Sequence, residues 1–150
     1  MLVAFTLGCL ALHDTAAAAD LKPQGAARFL SKVVRQLAAN DYTDAWQTLH
    51  PIDQALVPLD VYVACESASP VAGHIASIRA QSIGRAEVSL TLAGPVVPSY
   101  IVQFAVVIVG YEMPVGTHVT VRAHAILVGE QWRWMLPPAR VRTYQSCAPR

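Results

Sequence analysis

Hydrophobic residues recur with a helical period in one clear stretch. Over residues 24–39, Ala26, Phe29, Leu30, Val33, Val34, Leu37 and Ala38 follow the i, i+3, i+4, i+7 rule, with Arg28, Ser31, Lys32, Arg35 and Gln36 on the opposite side. This predicts an amphipathic helix with one buried stripe. Asn40 and Asp41 interrupt it, as a C-cap followed by a new N-cap can. Tyr42, Ala45, Trp46 and Leu49 then resume helical spacing until Pro51, which is expected to stop the helix. A third short helix is predicted at about 58–66, with Pro58 in its first turn.

After Ser69, Pro70 and Gly73 the period changes to two. Val88, Leu90 and Leu92 alternate with Glu87, Ser89 and Thr91, a half-buried strand, and residues 75–83 are a weaker strand candidate. Tyr100 to Val109 is apolar at nearly every position and rich in β-branched residues, which suits a strand covered on both faces. Gly129-Glu130 reads as a two-residue turn. That register sets Leu127 opposite Trp132, Ala125 opposite Trp134 and Ala123 opposite Leu136. The other face pairs Val128 with Gln131, Ile126 with Arg133 and His124 with Met135. Large Trp against small Ala on one face, with charge kept to the other, specifies this register, because a one-residue slip would exchange the faces. Helices followed by strands, without alternation, predict an α+β domain with an antiparallel sheet.

Composition narrows the setting. The chain has 150 residues, 54% of them hydrophobic, 14% charged, and a net charge of +1. So apolar a chain is not disordered, and near-neutrality offers no field to attract nucleic acid. Part of the apolar content lies in Met1 to Leu12, followed by Ala16 to Ala19. This predicts a signal peptide over 1–19 cleaved after Ala19, one domain over 20–150, and a secreted or extracytoplasmic protein. The apolar run is short of the ~20 residues a span needs. Leu7-Gly8-Cys9 is a weaker lipoprotein signal. Without residues 1–19, Cys65 and Cys147 remain; in an oxidising compartment they suit one disulfide, and in a reducing one two buried thiols.

The order of these elements, together with Asp41-Tyr42-Thr43-Asp44-Ala45-Trp46 and the closing Trp132-Arg133-Trp134, resembles the NTF2-like (SnoaL-like) superfamily, in particular its small secreted actinobacterial members. The resemblance implies a cone: N-terminal helices packed on a curved antiparallel sheet, with a pocket between them. The family holds enzymes and non-enzymes alike, so it carries no catalytic residue across.

Tyr42, Trp46, Tyr62, Glu66, Phe104, Trp132 and Trp134 are the candidate pocket-lining residues, though aromatics at helical spacing also suit a plain core. The function expected is a non-enzymatic module of the cell envelope or exterior that binds a small apolar ligand or a protein. The alternative is an acid/base enzyme of isomerase, dehydratase or cyclase type, with Glu66, Tyr62 or His124 as the working group. No cofactor and no metal site is expected. His118 and His124 share one strand face but lie ~20 Å apart, too far to share a metal. The polar face with Thr120, Arg122, His124 and Arg133 would be the contact in a homodimer or with an envelope protein. Arg133, Arg140, Arg142 and Arg150 read as a solvated basic cluster.

Overall fold

The computed structural model describes residues 15–92, 94–110 and 116–147. The Met1–Leu12 run and Cys9 lie outside the described residues. The elements are α1 (Thr15–Ala38), α2 (Tyr42–Gln47), α3 (Pro51–Leu56), α4 (Leu59–Ser67), β1 (His74–Ser89), β2 (Val96–Val109), β3 (Thr117–Val128), β4 (Gln131–Trp134) and α5 (Pro138–Cys147).

α1 buries Ala26, Leu30 and Val33 on the stripe its periodicity predicts. Its end is closed by Asn40 at φ 60°. The Asp41 N–H donates to Gln36 O at 2.8 Å and the Asn40 N–H to Leu37 O at 3.2 Å, so two terminal carbonyls are satisfied by a left-handed cap. Asp41 precedes α2, but its side chain makes no capping bond. α2 ends at Gln47, with Leu49 bridged to Trp134, and so stops short of Pro51. Pro51 instead opens α3, where His50 is the N-cap and its Nδ1 accepts from the Ile52 N–H at 3.3 Å.

The strands form one open antiparallel meander, in the order β1-β2-β3-β4. The two separate strand candidates near 75–83 and 87–92 join in a single strand that ends at Ser89, leaving Leu90, Thr91 and Leu92 in the turn beyond it. Its register shifts between Ile75 and Ser77 and again between Ser82 and Gly84. Each extra residue reverses which parity faces inward, which breaks the period-two signal into pieces. On β2, Val102, Phe104 and Val106 point inward and pack with α1 in the main core. A small second cluster of Leu90, Ile126 and Met135, with Ile52, Val88 and Val97, covers one end of the other face.

The expected cone is not formed. The sheet does not curl, and its outer members β1 and β4 do not meet. β4 is four residues long, too short to continue a wall, and the chain leaves the sheet after it. The architecture is therefore α+β with N-terminal helices and an open four-stranded sheet, and the NTF2-like (SnoaL-like) resemblance does not hold. The reading of a chamber enclosed by a curved sheet goes with it.

The tail carries a helix that the sequence pattern does not announce. α5 is joined to α4 by the Cys65–Cys147 disulfide, with Cα atoms 5.8 Å apart. Glu66 accepts from Arg140 Nη2 at 2.5 Å and from the Tyr144 hydroxyl, and the Tyr62 and Tyr144 rings stack at 5.2 Å. No helix among the described residues is long and apolar enough to cross a membrane.

Candidate functional site: the open edge of β3

The β3–β4 hairpin has the predicted register but makes only four of the six predicted pairs. Val128 faces Gln131, Ile126 faces Arg133, Leu127 faces Trp132 and Ala125 faces Trp134, and there the ladder ends. The expected pairs His124–Met135 and Ala123–Leu136 are not made. Two tertiary contacts and a Pro-Pro pair hold the chain away from β3. Trp134 occupies a non-hydrogen-bonded position, so its backbone points away from β3: its N–H donates to Thr48 O at 3.2 Å and its carbonyl accepts from the His50 N–H at 2.7 Å, which ties this end of β4 to the segment between α2 and α3. Two residues on, the Leu136 N–H donates to Asp53 Oδ2 at 3.0 Å. Pro137 and Pro138 then supply no N–H at all.

β3 runs eight residues beyond this point, from Thr117 to His124, or about 26 Å. In a two-residue hairpin the residues that flank the turn form a hydrogen-bonded pair, and such pairs alternate along an antiparallel ladder. Val128 and Ile126 therefore direct their backbone groups toward β4. By the same alternation His118, Thr120, Arg122 and His124 direct theirs to that side, where no strand stands among the described residues.

A cleft of about 440 Å³ lies along this edge. Leu30, Val33, Val34 and Leu37 of α1 form its roof, Phe104 and Trp134 its inner wall, and Met135, Pro137 and Pro138 its end. It takes in consecutive residues of β3, Val121 to His124, and so reaches both faces of the strand. Val121, which points inward, is nearly half exposed at 47%. That is the exposure of a core-facing residue with no neighbouring strand on that side among the described residues.

Two polar side chains stand in the cleft. Arg122 Nε donates to Gln103 Oε1 at 3.2 Å, and no carboxylate pairs with Arg122 among the described residues. His124 Nδ1 lies 2.9 Å from Ser99 Oγ. Ser99 is buried and its hydroxyl donates to Ala86 O at 3.0 Å, so it accepts from His124, and the imidazole is held as the Nδ1–H tautomer. Nε2 is left as an acceptor, and burial lowers the His124 pKa, which favours the neutral ring.

The candidate pocket residues fall in separate places. Phe104 and Trp134 line the cleft. The Trp134 indole N–H is already used by Ala45 O and Thr48 Oγ1, both at 3.0 Å. Trp132 meets Tyr100 edge-on, with centroids 5.5 Å apart. Trp46 Nε1 donates to Val57 O at 2.8 Å. Tyr42 and Tyr62 are buried in the core, where burial raises both phenol pKa values, and the Tyr62 hydroxyl has no hydrogen-bond partner. Glu66 is held by Arg140 and Tyr144, and not by Tyr62. The acid/base set of Glu66, Tyr62 and His124 is not assembled in one pocket. No group of three metal-ligating residues occurs among the described residues.

The sequence pattern gives Arg122 no role beyond the polar face, and nothing in it singles out Ser99. The one available signal is Pro137-Pro138, which marks where a hairpin arm must stop while its partner continues. Comparison with protein-family models, with curated proteins and with solved structures finds no match.

Proposed function

We propose that this chain is a docking module that accepts an extended polypeptide segment as a fifth strand along β3. The observation that carries the reading is the edge from His118 to His124, which no strand pairs among the described residues, with an apolar cleft beside its Val121–His124 end. Strand addition uses both features: main-chain hydrogen bonds supply affinity, and alternate side chains enter the groove.

Desolvation decides between a peptide and the small apolar ligand that the sequence suggests. An aliphatic molecule in this cleft would cover the edge N–H and C=O groups without bonding them, at roughly 1–3 kcal/mol for each group left unsatisfied. Sealing even three or four of them would cancel most of what the apolar contact contributes. A strand satisfies the same groups. The Cys65–Cys147 disulfide supports an extracytoplasmic setting for this encounter, because such bonds persist in oxidising compartments.

The test begins with backbone hydrogen exchange on the free protein. Amides of His118, Thr120, Arg122 and His124 are expected to exchange fast, and those of Val119, Val121 and Ala123, which face β2, slowly. Peptides selected by display against the full chain are then N-methylated one residue at a time. Strand addition predicts that methylation abolishes binding at every second position, and that the four edge amides become protected. Uniform tolerance of methylation, uniform protection in the free protein, or failure to select any binding peptide would overturn the proposal.

A further inference from the structure

Resting on that reading, we infer that the segment taken up by β3 alternates apolar and acidic residues, apolar toward the cleft and acidic toward the outer face of the sheet. The two faces of β3 make different demands. Positions opposite Val121 and Ala123 point under α1, toward Leu30, Val33, Val34 and Leu37, where a charge would be desolvated without a partner. Positions opposite His118, Thr120, Arg122 and His124 stand on the outer face.

That outer face is one-signed. The strand register puts Arg79, Arg122 and Arg133 on it, together with His118 and His124. No Asp or Glu occupies an outer position of the four strands, and the one ion pair among the described residues, Glu66–Arg140, lies on the helices. Arg122 stands at the middle of the free edge, with a neutral glutamine as its neighbour. A carboxylate on an added strand would sit beside it at cross-strand distance, where opposite charges stabilise and like charges repel.

The same charge argues against a second copy as the occupant. In the twofold antiparallel pairing centred on Val121, which uses the whole edge, Arg122 faces Thr120 of the other copy. The two guanidinium groups then become diagonal neighbours at ~7–8 Å with no acid between them. An acidic strand meets this edge without that repulsion.

The experiment uses the full chain and three seven-residue peptides that alternate Leu with Glu, with Gln or with Lys, and a fourth with the Leu/Glu composition in blocked order. Affinity is read by fluorescence anisotropy at low and high salt, with light scattering run alongside. The alternating Glu peptide is expected to bind about tenfold more tightly than the Lys peptide, with Gln between them, and its advantage should shrink as salt is raised. Arg122→Glu should reverse the order, and its melting curve checks that the variant is folded. Equal affinity for the Glu, Gln and Lys peptides overturns the acidic preference while leaving strand docking intact. Equal binding of the blocked peptide overturns the alternation. Failure of all four to bind, when displayed peptides do bind, overturns the inference alone, and failure of both sets overturns docking as well. Concentration-dependent dimers that vanish in Thr120→Pro, which removes an edge N–H, would show a second copy at the edge and refute the acidic segment.

Discussion

Asp53→Asn should change how stability depends on pH, and the structure sets both the sign and the size of that change. The Asp53 side chain is fully buried; Oδ2 accepts from the Leu136 N–H at 3.0 Å, while Oδ1 has no partner. Burial is the larger influence on it and raises its pKa from 3.8 to about 6, against the smaller opposing effect of the Leu136 hydrogen bond. Between those two values the folded chain holds a proton that the unfolded chain has lost. Stability from this group is therefore greatest below about pH 4 and declines as pH rises through 6, by ~3 kcal/mol in total if the full gap is realised. His50 and His124 act in the opposite direction, because burial lowers their pKa values and each favours the fold less as pH falls below the ordinary histidine value. A wild-type profile mixes these terms, but the difference between wild type and Asp53→Asn isolates the carboxyl, since the histidines are common to both. Urea unfolding at pH values from about 4 to about 7, with equal m-values required, gives that difference. It should shift in favour of the asparagine variant by about 2–3 kcal/mol across the range. A difference that stays flat with pH would show that Asp53 is hydrated or paired in the folded state and would refute the assignment.

Two further outcomes follow from the helices. Cys147→Ser releases a link between residues 82 apart in sequence, which the loop-entropy model values at about 4–5 kcal/mol; thermal unfolding should fall accordingly, and intact mass of the wild type should rise by two protons on reduction. Tyr62→Phe removes a buried hydroxyl that has no partner, so it should be neutral or stabilising by up to about 1 kcal/mol; a loss larger than that would mean the hydroxyl is hydrogen-bonded.

Elements with unbroken local patterns are legible in the sequence. α1 shows its stripe in every turn, and the β3–β4 register follows from a two-residue turn flanked by Trp opposite Leu and Ala. β1 does not read as one strand, because each bulge reverses the inward parity and a period-two pattern breaks at Ile75–Ser77 and Ser82–Gly84. α3 escapes the pattern because Pro51, which reads as a stop, stands in the first turn of a helix. α5 escapes it because its apolar positions are few, with Val141 and Tyr144 the buried ones, and its place depends on α4.

The candidate site divides along the same line. Local sequence determined that β3 is a strand and which of its residues face inward, while Pro137-Pro138 sets only the farthest point the opposing arm could reach. It also left Cys65 and Cys147 as the candidates for one disulfide. Only the tertiary structure decided that the sheet stays open, that Trp134 turns its backbone to Thr48 and His50, and that Asp53, fully buried, captures the Leu136 amide. Those contacts join residues more than eighty positions apart. Hydrophobic periodicity reports which side of a strand is buried; it does not report whether the backbone groups along its edge find a partner, because that depends on where a distant segment comes to rest.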